Sequence, residues 1–205
     1  MYLSTLPIFS INYIHLGMKQ FFLSFSLFLL GSIAFAQKYI PVIKTGTVLS
    51  YNVALKNMGQ EIQLGLTVTS FADPIKMQWN VPGYGTGSFE MPLKALESGK
   101  KLVLSPPEPD GVTKMKDDET LLVLPKSIYS DAVKNKAFEL NGFKFAVIAD
   151  TATYKINNKV TDIMHAVSAN GKNEIWILNN PDYPLICQGK GVTRGIDFYL
   201  TAIKE

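Results

Sequence analysis

Apolar and polar side chains alternate with a period of two over much of this chain. Val48 to Lys56 and Gln60 to Ser70 are two such runs joined around Asn57-Met58-Gly59, which predicts a β-hairpin. Leu49, Tyr51, Val53 and Leu55 share one face with Ile62, Leu64, Leu66 and Val68, while Asn52, Glu61, Gln63, Thr67 and Thr69 lie opposite. One face is therefore expected in a core and the other in water. Ile75, Met77, Trp79 and Val81 continue the alternation as a third strand after the Asp73-Pro74 turn, and Phe89 and Met91 mark a short fourth one. Leu93 to Ser98 predicts a helical turn ending before Gly99, and the prolines of Ser105 to Gly111 predict a loop. Leu121 to Leu124 reads as a short apolar strand. Lys126 to Lys134 is the best helix candidate, because Ile128, Tyr129, Ala132 and Val133 recur at spacings of three and four.

Two Asn-Gly pairs fix the remaining hairpins. Asn141-Gly142 joins Phe138–Leu140 to Phe143–Val147 and sets Glu139 opposite Lys144. Asn170-Gly171 joins Val160–Ser168 to Asn173–Leu178, and a two-residue turn pairs Ala166 with Ile175 and His165 with Trp176. One face of that second hairpin carries Met164, Ala166, Ile175 and Ile177. The other carries Ile163, His165, Val167, Glu174, Trp176 and Leu178. Both are largely apolar, so each needs a cover. Leu185 to Gln188 and Ile196 to Ile203 complete an antiparallel meander. The fold class is mainly β with minor α: a curved antiparallel sheet or half-barrel with one or two short helices.

The start of the chain has a different grammar. From Met18 a short basic opening, Met-Lys-Gln, leads into the apolar run Phe21 to Phe35 and then Ala34-Phe35-Ala36 before Gln37. This reads as a secretory signal peptide cleaved between Ala36 and Gln37, with Met18 as the expected true start. Ile8 to Phe35 is the alternative reading, an uncut anchor, but the run is interrupted and lacks stop-transfer charges. Residues 1–36 are thus the signal region and residues 37–205 a single β-rich domain, periplasmic or secreted, with no stable membrane span after cleavage. The chain's 20 basic and 17 acidic residues lose only Lys19 on cleavage, leaving a net charge of +2. Without a basic block, nucleic acid is not an expected partner.

Candidate chemistry is sparse. His165 is the only histidine after Ala36 and Cys187 the only cysteine in the chain, so an imidazole-based site would have to use His165. If Leu178 pairs with Leu185, Cys187 lies beside Trp176 and about 9–10 Å from His165, two strand spacings and too far for a dyad. Asp110, Asp117, Asp118 and Glu119 form an acidic cluster whose spacing matches no calcium loop, with Lys114 and Lys116 interleaved. Gly83-Tyr84-Gly85-Thr86-Gly87 comes after a strand as a dinucleotide loop does, but Ser88 to Pro92 then alternates like a strand instead of opening a helix. No catalytic residue, metal or cofactor is expected. Trp79, Met91, Met164, Trp176 and Tyr199 are the candidate lining of a hydrophobic ligand site.

Glu174-Ile-Trp-Ile-Leu-Asn-Asn-Pro-Asp-Tyr-Pro-Leu-Ile, with Gly195-Ile-Asp-Phe-Tyr-Leu after it, resembles the TapB-like exported β-proteins of unknown function. It is also distantly similar to the closing strands of periplasmic lipoprotein carriers of the LolA and LolB type, where a tryptophan-bearing strand precedes a loop and a strand-opening proline. Trp176 and Pro184 match those positions. For the carriers the resemblance implies a half-barrel closed by helices around an apolar cavity for acyl chains. The expected function is an exported, non-enzymatic module that binds a hydrophobic small molecule such as an acyl chain or lipid. The alternatives are a cell-envelope module whose partner is an envelope protein, or a hydrolase with an unrecognised site.

Overall fold

The computed structural model of the chain describes residues 38–205 except 105, 107, 150–152 and 194, and the signal region lies outside the described residues. Among the described residues fifteen strands and two helices run in order: β1 (Val48–Leu55), β2 (Gln60–Ser70), β3 (Ile75–Val81), β4 (Gly85–Met91), α1 (Leu93–Ser98), β5 (Lys101–Leu102), β6 (Val112–Lys114), β7 (Glu119–Thr120), α2 (Lys126–Asn135), β8 (Ala137–Leu140), β9 (Phe143–Ile148), β10 (Lys155–Ile156), β11 (Lys159–Val160), β12 (Ile163–Ser168), β13 (Glu174–Leu178), β14 (Ile186–Thr193) and β15 (Ile196–Lys204). The protein is mainly β with minor α. Eleven strands form one sheet in the order β6-β4-β3-β2-β1-β15-β14-β13-β12-β9-β8. Every neighbouring pair is antiparallel except β4 with β6 at one edge. The first and last strands meet in the middle, Val48 opposite Lys204 and Leu55 opposite Ile196, with a bulge at Ser50/Tyr51. Lys38–Glu205 is one compact unit.

Alternation explains which face is covered. On β3, Ile75, Met77, Trp79 and Val81 are buried while Lys76, Gln78 and Asn80 between them are exposed. The buried face of the sheet packs against α1, α2 and the Leu121–Leu124 segment, where Ala95, Leu96, Ile128, Tyr129 and Ala132 join the core. Asn170-Gly171 gives the expected register, Ala166 opposite Ile175 and His165 opposite Trp176. Asn141-Gly142 sets Glu139 opposite Lys144, with both turn residues at positive φ.

Three expectations need correction. Leu121–Leu124 is not a strand: Leu122 takes a φ of +52°, which no ladder tolerates, and the segment keeps one bridge, Val123 to Leu185. Val133 is exposed on α2, outside the buried stripe of Ile128, Tyr129 and Ala132. Trp176 faces Gln188 rather than Cys187, because a bulge between Trp176 and Ile177 shifts the ladder by one residue even though the Leu178 N–H does donate to the Leu185 carbonyl at 2.8 Å. The sheet is mostly antiparallel, as expected, with β6 returning beside β4 in parallel at one edge.

Candidate functional site

Along β1 and β2 the apolar face changes character. Leu49, Tyr51, Leu66 and Val68 are at most 1% exposed, whereas Val53, Leu55, Ile62 and Leu64 on the same face are only partly buried. The face is packed solid at one end and opens at the other. There it bounds a cavity of about 560 Å³. Ile196 and Phe198 of β15 and Val81 and Phe89 of β3 and β4 continue its wall, and Leu104, Pro106, Leu121 and Leu122 face it from the connecting segments. Met58 in the β1–β2 turn and Tyr84 in the β3–β4 turn also line it and are 70% and 51% exposed, which places the mouth at these turn tips.

The lining is apolar apart from the Gln60 amide and the Tyr84 hydroxyl, and among the described residues it carries no carboxylate, ammonium, imidazole or thiol. Such a surface favours an uncharged chain or ring over water and offers no group for proton transfer or metal ligation. One wall residue is held against its own preference. Leu122, 2% exposed, sits in the left-handed region, fixed by the Ile186 N–H donating to its carbonyl at 2.8 Å and by the Leu124 N–H donating to Pro184 at 2.9 Å. A second, larger depression of about 710 Å³ between α2, β5 and the β8–β9 turn is lined by Lys100, Lys101, Asp131 and Glu139 among others and has no comparable apolar surface.

The five residues singled out from the sequence lie elsewhere. Trp79 is 1% exposed beside the cavity, its ring 6.0 Å from that of Tyr84. Met91 is fully buried in the core, and Met164 packs on the core's edge from β12. Trp176 stacks on His165 at 4.1 Å, with Lys190 Nζ 4.9 Å from its ring centroid and His165 Nε2 3.1 Å from Glu174 Oε2. Tyr199 is on the wet face, where its hydroxyl donates to Glu61 Oε1 at 2.9 Å and accepts from Asn52 Nδ2 at 2.7 Å. None of the five lines the cavity. The residues that do are visible in the sequence as an apolar stripe of the first hairpin, but a stripe does not say how far along it the cover extends.

Cys187 is fully buried, its thiol directed to the Leu185 carbonyl at 3.7 Å. Burial pushes that thiol far up from its ordinary range. No family model and no curated protein matches the chain. Among the described residues no helix is long and apolar enough to cross a membrane.

Proposed function

We propose that the protein is an exported, non-enzymatic module that takes up a hydrophobic ligand, an acyl chain or a lipid, in the cavity between β1–β4, β15 and the Leu121–Leu122 segment. The cavity carries this reading. Its volume of about 560 Å³ falls within the range of about 300–1,000 Å³ usual for small-molecule sites. Ten methylenes moved from water onto this wall would contribute about 8 kcal/mol before the costs of ordering the chain and of association. That leaves room for useful affinity without a single charged contact. In this reading the module works as the lipoprotein carriers do, shielding an apolar chain from water in the periplasm or outside the cell.

The exposed Met58 and Tyr84 favour a second reading, in which the same end of the sheet docks an envelope protein. One experiment separates the two. The full chain is produced in a Gram-negative host and weighed by native mass spectrometry before and after organic extraction. Carrier function gives an extractable adduct of lipid mass on a polypeptide beginning at Gln37, and Leu64→Asp, which puts a carboxylate into the wall, cuts occupancy by about tenfold or more with the circular dichroism unchanged. A bare mass that also fails to take up an added neutral lipid sinks the carrier reading in favour of the protein partner.

A further inference from the structure

Glycine apart, Leu122 is the one described residue of the cavity wall with a positive φ. The other non-glycine residues in that region are Asp110, Lys136, Asn141, Asn157 and Asn158, polar side chains that suit turns, whereas a branched apolar side chain is disfavoured there. What the strain achieves is visible in two neighbours. Side chains alternate along an extended segment, so Leu121 and Leu122 should face opposite ways after β7 ends at Thr120. Both nevertheless line the cavity, and both are almost fully buried, at 3% and 2% exposure. The left-handed turn breaks the alternation and puts two successive leucines on one wall.

Hydrogen bonds place Leu122 at the inner end of the cavity. The Ile186 N–H donates to the Leu122 carbonyl, and the Ile186 carbonyl accepts from the Tyr51 hydroxyl at 3.0 Å. Tyr51 is 1% exposed and belongs to the packed end of β1; Val53 and Leu55 follow it along the cavity, and Met58 lies at the mouth. From Tyr51 to Leu55 the strand advances about 13 Å. Leu122 is thus tied to the level at which the apolar face closes. The two polar groups of the wall are at the opposite end, Gln60 opening β2 and the Tyr84 hydroxyl in the β3–β4 turn.

We infer that Leu122 is the residue that sets the length of the ligand: an apolar chain enters tail first, keeps its polar head beside Gln60 and Tyr84, and stops where its end meets the Leu122 side chain. This deepens the hydrophobic-ligand reading and rests on it. A stop of this kind has to resist displacement. Leu122 and its neighbours are held by the Ile186 N–H on the Leu122 carbonyl, by the Leu124 N–H on the Pro184 carbonyl and by the bridge between Val123 and Leu185, so the segment does not move without breaking its ties to the start of β14. The strained φ and the backbone bonds then have one purpose, which is to hold an isobutyl group rigidly at the end of the cavity.

The test measures displacement of the neutral dye N-phenyl-1-naphthylamine from the full chain by a series of straight-chain 1-alkanols, from butanol to tetradecanol. Affinity is expected to rise about fourfold with each added methylene until the chain fills the cavity, and then to level or fall. Leu122→Gly suits the left-handed backbone and removes the stop, so the break should move to alkanols longer by about three methylenes, while Leu122→Phe fills the inner end and should move it to shorter ones. Should either variant fail to fold, the unaltered chain still decides: in the complex with decanol, nuclear Overhauser contacts should join the terminal methyl to the Leu122 methyls and the hydroxymethylene to Met58. A break that stays in place in both folded variants, or a decanol methyl that contacts the mouth instead, overturns the assignment of Leu122 and leaves the cavity reading intact. Failure of the dye and every alkanol to bind the unaltered chain overturns both.

Discussion

At the scale of single residues, Cys187 shows how burial decides chemistry. Its thiol is held protonated by desolvation and has no accessible surface, so it is inert despite being the chain's only cysteine. Native protein at about pH 8 is expected to leave Ellman's reagent unreacted, and denatured protein to consume one equivalent. Rapid reaction of the native protein would mean that β14 opens or that the thiol is not where its neighbours Tyr51 and Tyr154 hold it. The core placement of Cys187 is legible from its apolar neighbours. The position of Tyr199 is not, because an amphipathic ring suits either face, and only the contacts with Asn52 and Glu61 draw it to the wet one. Size alone suggests ligand contacts for Trp79 and Trp176. Their rings instead rest on Tyr84 and His165.

At the scale of elements, close approach between β14 and β15 shapes the cavity wall. Gly189 lies opposite Phe198, and a Cβ on it would stand 2.5 Å from the ring's Cε1 and 2.8 Å from Val192 Cγ2. Gly189→Ala should therefore push the Phe198 ring toward the cavity and cost about 1–3 kcal/mol, read as a lower urea midpoint with weaker dye uptake. An unchanged midpoint would show that the ring has slack the packing does not suggest. Hairpins are the most legible elements. Two Asn-Gly turns set their registers through local backbone geometry, and local rules suffice there. The bulge at Trp176/Ile177, the parallel return of β6 and the bent Leu121–Leu124 segment are hidden for the opposite reason. Each depends on a partner distant in sequence, and apolar alternation says nothing about which partner that is. For the same reason the cavity, bounded by both ends of the domain and its middle, leaves no local signature.

At the scale of the whole molecule, several buried acids set an alkaline limit. Burial raises Tyr51, Tyr154, Tyr183 and Cys187 above their ordinary values, and Tyr39, desolvated and donating to Glu205, is pushed up to about 12. Each folded-state pKa exceeds its unfolded value, so the folded state holds protons that the unfolded chain releases. The stabilisation is complete below the unfolded values, 9.0 for the thiol and 10.0 for the phenols, and is lost as pH rises beyond them. Urea midpoints should be level up to about pH 8.5 and fall steadily toward about pH 12, by about 1.4 kcal/mol per pH unit for each group titrating only in the unfolded chain. A midpoint flat to about pH 12 would contradict the buried phenols. The pairing of β1 with β15 bears on a different question, that of timing. A chain made from its N-terminus carries β1 as a raw edge through the whole of its synthesis, because the strand that completes the sheet is the last one to emerge. Until those nine residues arrive no strand pairing joins the two halves of the sheet, and their contact rests on side chains such as the Tyr51 hydroxyl, which donates to the Ile186 carbonyl at 3.0 Å, so the sheet closes only when the chain is almost complete.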